Sequence, residues 1–238
     1  MAKLFEEIDS RESPIGEISL RRRRIPAIGE RDIFEIKLGD EFLMSSLFVA
    51  AEEALADVAL ARLERDALTV VVGGLGLGYT AAAALRDRRI ETLVVVEYLE
   101  PVIRWHREEK IPLGTKLNAD ARCYFRQGNF FKLAAEPAGL VPEQGQVDAV
   151  LLDIDHSPEA FLHGDNASFY TQRGLSALAQ QLRPGGVFAL WSTDAPDPAF
   201  SDLLGRVFTE VQADVVRFFN PFQNNEAVNT VYSGLSAS

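Results

Sequence analysis

The sequence predicts a doubly wound α/β fold: a mostly parallel, seven-stranded sheet carrying a small N-terminal β-appendage. Three observations predict it. Apolar runs of strand length recur along the chain, stretches of helical spacing lie between them, and the first central run ends in a glycine-rich turn that opens a helix. Strands that alternate with helices need covering on both faces, and continuous apolar runs suit that burial better than alternating ones.

Residues 1–45 read as the appendage. Gly16–Leu20 and Asp32–Leu38 have the look of short strands, punctuated by Pro26, Gly29, Gly39 and Asp40. Arg21 to Arg24 form a run of arginines there, read as a solvated strand or turn, with a subunit contact or an anion site as the other readings. Residues 46–238 make the main domain. Leu47, Ala51, Ala54, Leu55, Val58 and Leu63 recur near helical spacing, which predicts a helix over 46–65. The strands follow at Leu68–Val72, Thr92–Val96, Arg122–Arg126, Val147–Leu152 and Val187–Trp191, with two more near 213–219 and 228–233 at the sheet edge. Helices are expected over 79–88, 100–110, 167–182 and 198–210.

Composition bounds the function. At 238 residues, 47% apolar and 25% charged, the chain is long enough for one well-buried domain. A net charge of -11 argues against a nucleic-acid footprint, which needs a basic face, while an acidic field would attract a cationic substrate. The single cysteine, Cys123, allows no internal disulfide and reads as a core strand residue. The start, Met1-Ala2-Lys3-Leu4-Phe5, lacks a signal-peptide core, and no apolar stretch approaches the roughly 20 residues that span a bilayer. These features predict a soluble cytoplasmic protein with no membrane partner.

The strongest local signal is Gly73-Gly74-Leu75-Gly76-Leu77-Gly78-Tyr79, which follows a buried strand and opens the alanine-rich helix at Ala81. Glycines let the backbone turn tightly and approach a ligand, and the helix start offers unpaired N–H groups. Glu97 closes the next strand, where a carboxylate can accept hydrogen bonds from a ribose diol. Loop and acid alone suit nicotinamide or adenosyl ligands equally. Gly128-Asn129 after the third strand, Asp153 at the end of the fourth and Leu182-Arg183-Pro184-Gly185-Gly186 as a helix-ending turn before the fifth favour the adenosyl ligand.

These segments, with Val96-Glu97-Tyr98-Leu99-Glu100-Pro101, Leu152-Asp153-Ile154-Asp155-His156-Ser157-Pro158 and Phe169-Tyr170, resemble the polyamine aminopropyltransferases, the spermidine synthase family. That family sits within the methyltransferase-type, Rossmann-like fold. The resemblance covers about residues 16–235. It implies a dimer-forming transferase that moves an aminopropyl group from decarboxylated S-adenosylmethionine to a diamine or polyamine. It implies Gly73, Gly74, Gly76, Gly78, Tyr79, Glu97, Gly128, Asn129 and Asp153 as nucleoside contacts. The chain departs from the family's G-G-G-D-G-G loop at Gly76, which stands where the acid would hold the donor's cationic tail. It departs from D-x-x-D-P at His156, and the Y-H-E segment is replaced near Phe48–Glu53.

Transfer from a sulfonium is an in-line displacement, so the protein must align nucleophile and carbon and present an unprotonated amine. Asp153 is the expected base or orienter, with Asp155 assisting, both at the carboxyl end of a central strand. Asp155, His156 and Tyr170 are the expected acceptor contacts; Trp191 reads as core or as another wall. His106, His156 and His163 show no metal-ligand spacing, so no metal is expected. The loop 154–168, with Pro158, Gly164 and Asp165, has the composition of a mobile lid, and protease protection on ligand addition checks that. Two alternatives stay open: a methyltransferase using intact S-adenosylmethionine on a small molecule, and a non-catalytic nucleoside-binding homologue.

Overall fold

A computed structural model of the chain describes residues 4–29 and 31–237. Its main sheet has seven strands: β5 (Leu68–Gly73), β6 (Ile90–Glu97), β7 (Cys123–Gln127), β8 (Val147–Leu152), β9 (Leu182–Ser192), β10 (Thr209–Asn220) and β11 (Asn225–Leu235). They lie in the order β10-β11-β9-β8-β5-β6-β7. The five from β5 to β9 pair in parallel, while β11 runs antiparallel to both β9 and β10. Strands β5 and β8 are buried at every residue, as the continuous apolar runs predict.

Successive side chains of a strand point to opposite faces, and the core divides accordingly. Val70, Val72, Ala149 and Leu151 pack on one face with α1 (Ala50–Ala61), α2 (Tyr79–Ala84) and α3 (Glu100–Arg107). Val71, Val150 and Leu152 pack on the other with α5 (Phe130–Ala135), α6 (Gln172–Ala179) and α7 (Pro198–Gly205). Helices on both faces make the sheet doubly wound. From β5 the chain steps outward to β6 and β7, then crosses to β8 and β9. That reversal opens a crevice at the carboxyl ends of β5 and β8, where open α/β sheets bind ligands.

The N-terminal strands form a separate antiparallel sheet of four: β1 (Phe5–Ser13), β2 (Gly16–Arg23), β3 (Ile33–Leu38) and β4 (Glu41–Ser45). Ile18, Leu20 and Ile36 are buried in the same cluster as Leu55 and Leu77, so this sheet shares the core of the first face. Asp9 of β1 ties the sheet to α3, accepting from Trp105 Nε1 at 3.1 Å and Lys110 Nζ at 2.9 Å. The arginine run lies on the solvated strand β2 and just beyond it, with its charges paired. Arg21 pairs with Glu7, Arg22 with Glu6, Arg23 with Glu35 and Arg24 with Asp32, a ladder of opposite charges along the strands.

Several sequence expectations need correction. Leu182–Gly186 is the first part of β9 and not a turn: Leu182 pairs with Val147, and the register slips before Val187 meets Ala149. Gly185 takes up the irregularity with φ +71°. The expected helix 167–182 is α6 alone, capped by the Thr171 hydroxyl, after a short 3₁₀ turn at Gly164–Ser168. Two helices carried too little periodicity to be seen: α4 (Pro112–Ala119), which opens on proline, and α5, capped by the Asn129 side chain.

Candidate functional site

A cavity of about 360 Å³ lies over the carboxyl ends of β5, β6 and β8, roofed by the N-terminal sheet and by the loop 154–168. Its floor is the glycine loop. Gly74 has φ +96°, and a Cβ there would stand 2.1 Å from the Asp153 carbonyl oxygen, so only glycine lets the β5 and β8 loops meet. Gly76 has φ +46° and supports the Met44 sulfur, which a Cβ would meet at 2.3 Å. Beneath the loop, His106 Nε2 donates to the Gly76 carbonyl at 2.9 Å. Burial pushes the His106 imidazole down to about 4, so the ring is neutral and that nitrogen carries the proton.

Glu97, at the end of β6, accepts from the Leu75 N–H at 2.9 Å and the Leu99 N–H at 2.8 Å. The backbone of Gly76 and Tyr98 adds to this cradle, and the carboxylate still lines the cavity. Burial pushes its carboxyl above the usual range. A carboxylate in this position is chemically suited to accept from a ribose diol.

Two further carboxyls face the same space. Asp153 follows β8; its Oδ2 accepts from the Thr80 hydroxyl of α2 at 2.6 Å, and burial pushes it up to about 6. Glu52 projects from the buried face of α1 and lines the cavity. Burial, reinforced by the charge of Asp153, pushes it up to about 8. Near neutral pH the pair therefore holds a proton that an entering cation would displace.

Of the residues expected from sequence, Gly74, Gly76, Glu97, Asn129, Asp153 and His156 line the cavity. Gly73 and Gly78 stand behind it, against Phe130 and His106. Gly128 bonds the Glu97 carbonyl through its N–H at 2.9 Å, and the Tyr79 hydroxyl engages Ser46. Asp155 and Tyr170 are not among the lining residues. The buried Asp155 carboxylate accepts from the Leu162 N–H (2.7 Å), Asn166 Nδ2 (2.9 Å) and the Tyr170 hydroxyl (2.9 Å). It ties down the loop, whose Leu162, His163, Asp165 and Asn166 close the cavity. Asp155→Ala removes the acceptor for three donors, which costs roughly 2 kcal/mol or more. The variant is expected to melt several degrees lower and to be cut by protease within 154–168 sooner than the wild type; equal digestion rates would contradict this role.

Sequence reading missed Glu52, Thr80, Met44 and His106. Glu52 left a signal, because an acid spaced with Leu55, Ala56 and Ala59 sits on an apolar helical stripe. Met44 left none, since its place depends on how the N-terminal sheet docks.

No protein-family profile matches the sequence, and no curated protein matches it either. Solved structures do. The crystal structure of spermidine synthase from Thermotoga maritima superposes with a TM-score of 0.72 over 97% of this chain and 73% of that one, at 17% identity. The fold is that of spermidine synthase. A second spermidine synthase, in complex with the transition state analogue AdoDATO, superposes with a TM-score of 0.71 over 97% of this chain and 72% of that one, at 16% identity. The spermidine synthase-like fold accounts for both the seven-stranded sheet and the smaller antiparallel sheet before it. Among the described residues, no helix is long and apolar enough to cross a membrane, and no three His, Cys, Asp or Glu side chains gather as a metal site.

Proposed function

We propose that this chain is a transferase that binds an adenosyl sulfonium and moves the aminopropyl group of decarboxylated S-adenosylmethionine to an amine acceptor. The observation that carries the reading is the acid pair Glu52 and Asp153 in the cavity beyond the glycine loop. An aminopropyl tail ends in an ammonium, which the acid pair attracts, whereas the carboxylate of intact S-adenosylmethionine would face like charge there. Glu52 thereby stands in for the acid that Gly76 lacks.

The proposed roles follow the geometry. Glu97 binds the ribose, Asn129 borders the base, and Gly74 and Gly76 keep the glycine loop packed against Asp153 and Met44 at the cavity floor. The acceptor nitrogen attacks the methylene carbon next to sulfur. The carbon–sulfur bond breaks, its electron pair leaves on sulfur as methylthioadenosine, and the ammonium formed passes its proton to Asp153. Asp153 must be ionised for this, so the rate is expected to rise with pH through about 6.

Methyl transfer from intact S-adenosylmethionine is the second reading, favoured by the absence of an acid at Gly76. Mass spectrometry separates the two. With either donor and a mixture of amines, release of methylthioadenosine from the decarboxylated donor supports aminopropyl transfer. Release of S-adenosylhomocysteine alone would establish the second reading, and release of neither would overturn both.

A further inference from the structure

The acceptor's chemistry can be read from the walls that a nucleoside leaves uncovered. Beyond the glycine loop the lining includes Ile36, Leu43 and Met44 from the N-terminal sheet, Ile154 and Leu162 from the loop, and Trp191 from β9, with His156, His163 and Asn166 as its uncharged or weakly basic polar members. Four carboxyls line the cavity as a whole. Glu97 is held by the backbone around the glycine loop. Asp165 is at the rim, its side chain 82% exposed and 3.6 Å from His163. That leaves Glu52 and Asp153, which interact with each other and so form one anionic spot. The remaining acid of the loop, Asp155, spends its carboxylate on three donors. His156 stands in the other acid position of the D-x-x-D pattern and faces Glu41 at 3.4 Å.

We propose that the acceptor is an amine with a single cationic end and an apolar body, in place of a linear diamine or polyamine. The inference rests on the transferase reading above, and names the substrate class of that same site. An amine entering here meets carboxylates at one end and hydrocarbon at the other. The far ammonium of a diamine would lose its water against a mostly apolar wall without gaining a second carboxylate. A methyl group at the same place fills the chamber and leaves water.

Heptylamine and 1,6-diaminohexane test this directly, since they match in length and differ only at the far end. Their binding to the wild-type protein is measured calorimetrically at about pH 8, with and without saturating methylthioadenosine, and each is offered as acceptor with the decarboxylated donor. Heptylamine is expected to bind about tenfold or more tightly, the cost of one unpaired buried charge being at least that large. Leu43→Asp places a second carboxylate in the chamber and is expected to narrow or reverse the preference. Tighter binding of 1,6-diaminohexane by the wild type, or binding of neither amine, overturns the inference. Failure of methylthioadenosine to bind while heptylamine still does would instead sink the donor reading and leave the chamber's preference standing.

Discussion

Glu52→Gln is expected to stabilise the free protein at alkaline pH and to weaken its hold on a cationic donor. In the unfolded chain this carboxyl titrates near 4.5; in the fold, burial and Asp153 push it up to about 8. Between those values the folded protein keeps a proton that the unfolded chain has released. The wild type therefore loses stability as pH rises through this window and levels off above about 8. Glutamine cannot ionise, so the variant escapes that loss. The gap between them should be small near pH 4.5 and reach the order of a few kcal/mol above pH 8, which is several degrees in melting temperature. Donor affinity moves the opposite way, with a loss of about tenfold or more for one ammonium–carboxylate contact in a closed site. Melting curves from pH 5 to 9, with calorimetric titration at the alkaline end, check both. Parallel stability profiles for the two proteins would contradict the buried, proton-holding carboxyl.

Gly74→Ala is expected to damage both stability and nucleoside binding. The new methyl carbon would lie 2.1 Å from the Asp153 carbonyl oxygen, a backbone atom with nowhere to go. Both sides of the contact are pinned: the Gly74 N–H bonds the Val96 carbonyl at 2.9 Å and the Asp153 N–H bonds the Gly73 carbonyl at 2.7 Å. Relief requires the β5 and β8 loops to part, at a cost of about 3 kcal/mol or more. Since Asp153 moves with its loop, the nucleoside affinity should fall as well. Gly145 is the control: it has φ +72° with nothing within 4 Å, so Gly145→Ala should cost only about 1 kcal/mol of backbone strain and leave binding intact. Equal melting temperatures for the two variants would show that the close approach at Gly74 is not tight.

The sheet was legible because its strands are buried on both faces. Runs such as Leu68–Val72 and Val147–Leu152 need no partner to be recognised, and the glycine turn after the first marks where the ligand crevice opens. Edge and surface elements hid themselves. β1 reads as charged residues, FEEIDSRES, because its stability comes from pairing with β2 and from cross-strand ion pairs that no local pattern shows. Leu182–Gly186 carries turn residues, yet a register slip accommodates them inside β9.

The site divides in the same way. Gly74, Glu97 and Asp153 were legible because chain position alone puts them at the carboxyl ends of neighbouring central strands. Asp155 and Tyr170 are close to each other, but one rotation of the loop decides whether they face the cavity, and three hydrogen bonds turn the carboxylate inward. Glu52 is the opposite case. It lies in the Phe48–Glu53 segment that departs from Y-H-E, so no motif marks it, and its importance lies in the charge of Asp153, about a hundred residues further on.

The central claim is that an acid pair selects the cationic tail of the nucleoside. Calorimetric titration of the wild-type protein at about pH 8 with decarboxylated and with intact S-adenosylmethionine tests it most directly. The account predicts that the decarboxylated donor binds about tenfold or more tightly, the difference between an attracted and a repelled tail in a closed site. Equal affinity, or tighter binding of the intact donor, would contradict it.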